Sequence, residues 1–229
     1  MDQTQVQAKK RLPTWKKILL VTLAVVILFM AIVVFAYFRY LHPTGRIMPG
    51  IYAIRNDNNG IPFVNFFLFQ IGEQYIAFDA GSDHVQTERT LQRLDIAASD
   101  ISAVFLTHGD RDHMGSLHLF DNATIYTGPI ELYAFDHHIM PDGNIIEIGG
   151  VSIQVIYTPG HTSGCVIYLV DSRYLFVGDL LVSPNHARYD MALQIENQEK
   201  ALGIEGVAYV FTGHFGLFRS IGLFRWWFG

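Results

Sequence analysis

Residues 107 to 116 read Thr-His-Gly-Asp-Arg-Asp-His-Met-Gly-Ser, which puts His108, Asp110, Asp112 and His113 within one short turn. Imidazole nitrogens and carboxylate oxygens are ligands for divalent metal ions, so this turn is either part of a metal site or a cluster of solvated charges. Four further stretches bear on the choice: Asp79 in FDAG, His161 in TPGHTSG, Asp179 in FVGD and His214 in FTGH. Asp79 lies within a strand end, and each of the others stands just past an apolar β-like run. A rigid scaffold can hold side chains in such places on a common rim.

The elements that would position them begin at Gly50. The runs 50–55, 62–72 and 74–81 predict an antiparallel meander joined by glycine-containing turns. A helix follows, capped by Ser82 or Asp83, with Val85, Leu91 and Leu94 on its inward face before Asp95. The strand 101–108 delivers the His/Asp turn at its C-terminal end and leads into a short helix through Leu117 and Phe120. The runs 123–128, 144–150, 151–160, 165–170 and 174–182 predict a second sheet, and 191–202 a helix before the strand 207–214. Sheets with helices on their outer faces bury this many apolar strands.

At 229 residues the chain has room for one substantial domain and an accessory segment. Cys165 is its single cysteine, which excludes an intramolecular disulfide and a cysteine-based zinc framework. Ile18 to Phe38 contains no charged residue and is long enough to span a bilayer. A cleavable signal peptide has a shorter apolar region ending in small residues, so residues 18–38 are expected to be a retained transmembrane helix. Lys9, Lys10, Arg11, Lys16 and Lys17 precede it, which predicts a cytoplasmic tail over 1–17 and a domain outside, at the cell membrane. Beyond residue 39 the chain holds ten Lys/Arg against twenty Asp/Glu, a balance that disfavours nucleic acid as a partner. The aromatic segment 217–229, with Arg219 and Arg225, suits either the membrane interface or a cover for the domain. The expected partners are thus a small-molecule substrate and the lipid bilayer.

Asp79, the 108–113 cluster, His161, Asp179 and His214 follow the motif order of the metallo-β-lactamase superfamily, and residues 49–216 resemble that family in its glyoxalase II and lactonase branch. The stretch VNFFLF (64–69) is similar to the family's asparagine-bearing second strand. The resemblance implies an α/β fold, an αββα sandwich with a two-metal site along one edge. It assigns His108 and His161 to the first ion, Asp112, His113 and His214 to the second, and Asp179 to both. Asp112 would be catalytic, orienting a hydroxide held between the ions, and Asp79 structural. Paired ions can acidify water, polarise a carbonyl or phosphoryl oxygen and stabilise the leaving oxygen. In this family the loop 182–190 borders the substrate cleft, which makes Asn185, His186, Arg188 and Tyr189 candidate substrate contacts. His118, His137 and His138 are expected to be surface or satisfied histidines.

Asp110 departs from the family's His-x-His-x-Asp-His pattern. If it is a ligand, Asp110, Asp112, Asp179 and a hydroxide balance the charge of two divalent ions, whereas histidine would leave one positive charge over. Such a neutral core admits manganese or iron beside zinc. If it is not a ligand, the first site is weak or empty. The leading expectation is a membrane-anchored hydrolase of an ester, thioester, lactone or related acyl substrate. Two alternatives stand beside it: a phosphodiesterase or nuclease, since the variant motif also resembles the hydrolase domain of competence DNA-uptake proteins, and a catalytically weak ligand-sensing module. A β-lactamase is disfavoured, because many members with that activity have cysteine where Asp179 stands.

Overall fold

Successive side chains of a strand point to opposite faces, and in this chain both faces are apolar. The computed structural model describes residues 13–37, 44–58, 61–130 and 133–219. Within it β3 (Ile61–Ile71) sends Phe67 into one buried cluster and Phe66 and Leu68 into another. A strand buried on both sides must lie in an inner layer. Among the described residues one sheet runs β1 (Gly45–Met48), β2 (Ile51–Asn58), β3, β4 (Gln74–Phe78), β5 (Ile101–Phe105), β6 (Thr124–Thr127) and β7 (His138–Ile139) in spatial order. The other runs β13 (Gly216–Arg219), β12 (Tyr209–Thr212), β11 (Tyr174–Gly178), β10 (Val166–Val170), β9 (Val151–Tyr157) and β8 (Ile145–Ile148).

The sheets meet through aromatic rings. Phe78 of the first stacks on Phe176 of the second with centroids 3.8 Å apart, and Phe176 stacks on Phe211 at 4.5 Å. Outside the first sheet, Leu91 of α2 (His84–Arg93) joins Phe66, Leu68 and Val104; outside the second, Ala201 of α4 (Met191–Leu202) joins Ile167, Leu175 and Val177. The order helix, sheet, sheet, helix is the expected αββα sandwich.

Strand direction collects the motifs at one rim. β4 and β5 are parallel, as are β11 and β12, and β9 runs with β11 because each is antiparallel to β10. The C-terminal ends of β4, β5, β9, β11 and β12 carry Asp79, the 107–113 turn, His161, Asp179 and His214 respectively. The expected meander is present as β2, β3 and β4.

Several expectations need correction. The run 123–128, expected in the second sheet, forms β6 of the first, parallel to β5. Of the two candidate caps of α2, Asp83 is the one whose side chain accepts from Gln86 N, at 3.0 Å. Val85 is exposed, because the buried face of α2 is Thr87, Thr90 and Leu91. The helix after the His/Asp turn is only α3 (Arg111–Met114), followed by a 3₁₀ turn at Leu117–Leu119. Of the aromatic segment, Leu217 to Arg219 lie in β13, with Leu217 in the core between the sheets, and residues 220–229 lie outside the described residues. By itself the N-terminal unit is α1 (Thr14–Ala36), which starts earlier than expected and takes in Lys16 and Lys17; Phe38 also lies outside the described residues. It is long and apolar enough to cross a membrane, a test that a signal sequence also passes.

Candidate metal centre

Each of the four rim histidines is held by its outer ring nitrogen. His108 Nδ1 lies 3.0 Å from Thr107 Oγ1, His113 Nδ1 2.8 Å from Asp79 Oδ2, His161 Nδ1 3.1 Å from His186 O and His214 Nδ1 2.7 Å from Phe63 O. Carbonyl and carboxylate oxygens can only accept, so His113, His161 and His214 carry a proton on Nδ1. Thr107 donates its hydroxyl to Asp79, at 2.9 and 3.0 Å, which leaves it accepting from His108 Nδ1. All four rings thereby carry Nδ1–H, the arrangement in which metal-binding histidines are usually locked by an outer partner. Their Nε2 atoms point inward.

There they meet three carboxylates. Asp110 Oδ2 is 3.3 Å from His108 Nε2 and 3.1 Å from His161 Nε2. Asp179 reaches His113 Nε2 with Oδ1 at 3.1 Å, and His214 and His161 Nε2 with Oδ2 at 3.2 and 3.6 Å. Asp112 Oδ2 stands 3.6 Å from His214 Nε2 and 3.9 Å from His113 Nε2. Two ligands of a tetrahedral ion at about 2.05 Å lie about 3.3 Å from each other, close to these spacings. The donor atoms fall into overlapping groups, His108 with Asp110 and His161, His108 with His113 and Asp179, and Asp112 with His113 and His214, each within 4.8 Å.

A test of fit comes from atoms that find no partner. His108 Nε2, His113 Nε2 and Asp179 Oδ1 are buried and make no hydrogen bond, although His113 and Asp179 are close enough for one. An orphaned buried polar atom is costly, and these are aimed at a shared space rather than at each other. A divalent cation fits that space. The electrostatics agree. Burial disfavours a charged imidazole at His113, yet Asp179 and Asp79 outweigh it and raise its pKa well above the usual value; Asp179 likewise raises that of His214. Burial also works against a charged Asp179, but His113 and His214 hold its carboxyl well below the usual range. The pocket is built to contain positive charge.

Backbone shape permits the approach. A Cβ on Gly213 would stand 2.7 Å from His113 Cε1 and 2.8 Å from Asp179 Oδ1, so only glycine fits. Gly213 O accepts from Asn65 N and Nδ2 at 2.7 and 3.1 Å, which ties β3 of the first sheet to the rim of the second.

All seven expected ligands, His108, Asp110, Asp112, His113, His161, Asp179 and His214, therefore come together. Asp79 sits beneath them, buried, with Thr107 N donating to Oδ1 at 2.8 Å. Of the loop residues Asn185, His186, Arg188 and Tyr189, His186 reaches the site with its carbonyl, on His161 Nδ1, and Arg188 with its side chain, ion-paired to Asp110 through Nη2 and Oδ1. That pair corrects the neutral-core charge count, which omitted the guanidinium and with it one positive charge. Burial raises the pKa of the Asp110 carboxyl, but the adjacent imidazoles of His108 and His161 and the Arg188 guanidinium pull it far below the usual range. His118 and His138 are exposed, and His137 Nδ1 bonds to Phe135 O at 2.8 Å. Sequence reasoning missed Thr107 and the carbonyls of Phe63 and His186. Thr107 had a signal, its place beside His108 at a strand end; the carbonyls had none.

The metallo-beta-lactamase superfamily model matches residues 59–214. A hydroxyacylglutathione hydrolase of Glaesserella parasuis is 32% identical over 120 residues, covering 49% of this chain and 51% of that one. The chain spans about half the length of the curated relatives it matches. Among solved structures, a metallo-beta-lactamase family protein of Thermus thermophilus superposes with a TM-score of 0.63 at 18% identity, over 77% of each chain. A flavoprotein of Thermotoga maritima gives 0.67 at 18% identity, over 77% of this chain and 57% of that one. At such identities the likeness is one of fold.

Proposed function

The chain belongs to the metallo-beta-lactamase superfamily, and from that premise we propose that it is a metal-dependent hydrolase of an ester, thioester, lactone or related acyl substrate. The observation that carries this reading is the convergence of four Nε2 atoms on three carboxylates, with every Nδ1 held from outside. His108, Asp110 and His161 would hold one ion, Asp112, His113 and His214 a second, and Asp179 would reach both. When bound, such a pair acidifies water and polarises an acyl carbonyl. Zinc is the expected metal, with manganese or iron admitted by the carboxylate of Asp110.

The chain's own residues do the positioning. Asp79 orients His113 directly and His108 through Thr107, so one buried carboxylate serves both halves of the site. Asp112, less enclosed than Asp179, would orient the attacking water. Asn185, His186 and Tyr189 belong to the same loop as Arg188, which reaches the site at Asp110, and would contact the substrate. The hydroxyacylglutathione hydrolase relatives favour an acyl substrate over a phosphodiester, as does the acidic balance of the domain.

Metal content measured with turnover on a thioester, a lactone and a phosphodiester tests the reading. Two ions per chain with acyl turnover is the expected result. Phosphodiester turnover alone would replace the acyl reading, metal without turnover would leave a sensing module, and no metal would overturn the proposal. On the same footing α1 is a membrane anchor with the basic tail in the cytoplasm and the domain outside. Protease added to intact cells should then digest the domain and spare the tail.

A further inference from the structure

Residues 183–190 are laced to both non-bridging neighbours of His108. On one side His186 O accepts from His161 Nδ1, Arg188 N donates to His161 O at 3.0 Å, and the amides of Tyr189 and Asp190 bond Gly160 O at 3.2 and 3.0 Å. On the other the Arg188 guanidinium reaches across to Asp110 and Nη2 donates to Oδ1. The Arg188 backbone is thus fixed within the framework of the site, while its side chain is 57% exposed.

A carboxylate has two equivalent oxygens, and whether it gives one or both to a cation changes the coordination number. Here Oδ1 is occupied by Arg188, and Oδ2 alone faces the Nε2 atoms of His108 and His161. We infer that Arg188 is a positioning residue of the first metal site: it restricts Asp110 to a single oxygen and so sets the preference of the site for zinc over manganese. Zinc is satisfied by four ligands of mixed nitrogen and oxygen, whereas manganese takes more oxygens. Arg188 cannot act here by charge alone. Its repulsion falls on any divalent ion alike and cancels in the ratio of two such affinities. The inference rests on the metal-centre reading above.

The test is the zinc-to-manganese ratio retained by the full chain after dialysis against both ions, read by elemental analysis. Arg188→Ala should lower the ratio about tenfold, within the range seen when an outer partner of a metal ligand is removed. Arg188→Lys, which can still occupy Oδ1, should stay near the starting ratio. In an Asp110→His background, where position 110 offers one nitrogen whatever its neighbour does, Arg188→Ala should leave the ratio unchanged. An unaltered ratio in Arg188→Ala, or an equal shift in the Asp110→His background, would overturn the inference while leaving the metal centre intact. A starting protein that binds neither ion would overturn the proposed function, and the inference with it.

Discussion

Replacing Asp79 by asparagine removes one charge and almost no volume, yet it should disable the second metal site by moving a single proton. Asp79 accepts from Thr107 N with Oδ1 at 2.8 Å and from His113 Nδ1 with Oδ2 at 2.8 Å. An amide has one accepting atom and one donating atom, so it cannot serve both partners. The amide of Thr107 has no alternative proton position, whereas an imidazole does. The new side chain in Asp79→Asn would therefore turn its oxygen to Thr107 and its nitrogen to His113, whose ring would then accept at Nδ1 and carry its proton on Nε2. That proton occupies the position from which a metal would be bound.

Binding an ion would require the proton to return to Nδ1 and face a donor, leaving a buried group unpaired at about 1–3 kcal/mol, or roughly five- to 150-fold in affinity. Backbone strain does not confound the comparison: Asp79 has φ of 64°, a conformation asparagine also tolerates and alanine does not. The measurement is zinc affinity by competition with a chromophoric chelator. Asp79→Asn with unchanged affinity and stoichiometry would refute the tautomer argument and return Asp79 to a purely structural role.

Asp179 contacts histidines of both groups, so Asp179→Ala should lower the content of both ions together and abolish turnover, while His118→Ala, on the exposed surface, should change neither; elemental analysis of the two variants checks this. Asp83→Ala removes the cap of α2 and should cost about 1 kcal/mol in thermal unfolding at neutral pH. The hydrogen bond from Gln86 N lowers the Asp83 pKa in the folded chain, so its contribution is present above the unfolded value of about 3.9 and lost as pH falls through the folded value. The gap between variant and parent should accordingly close in acid.

What was legible in the sequence was whatever local pattern determines. Apolar runs ending in Asp79, His108, Asp179 and His214 announce strands that deliver polar groups, because a strand buried on both faces has few other compositions. The inward face of α2 was misread because it is built partly from Thr87 and Thr90, residues that an apolar pattern passes over; the hydroxyl of Thr87 is satisfied by Asn56 and Ser116 at 3.2 and 3.1 Å. β7, two residues long, has no room to show a period.

The departure at Asp110 was visible, but its consequence was not, because the partner that answers it lies 78 residues away on a loop without regular pattern. A charge count restricted to ligands treats a carboxylate in place of histidine as a net loss of one positive charge. Arg188 supplies that charge and in the same contact occupies the second oxygen that histidine would never have offered. The two changes work as a pair: without Arg188 the carboxylate has excess charge and excess denticity, and without Asp110 the guanidinium crowds a cation site. A substitution in a metal motif is therefore best judged by what stands against it across the rim, which topology decides and spacing does not.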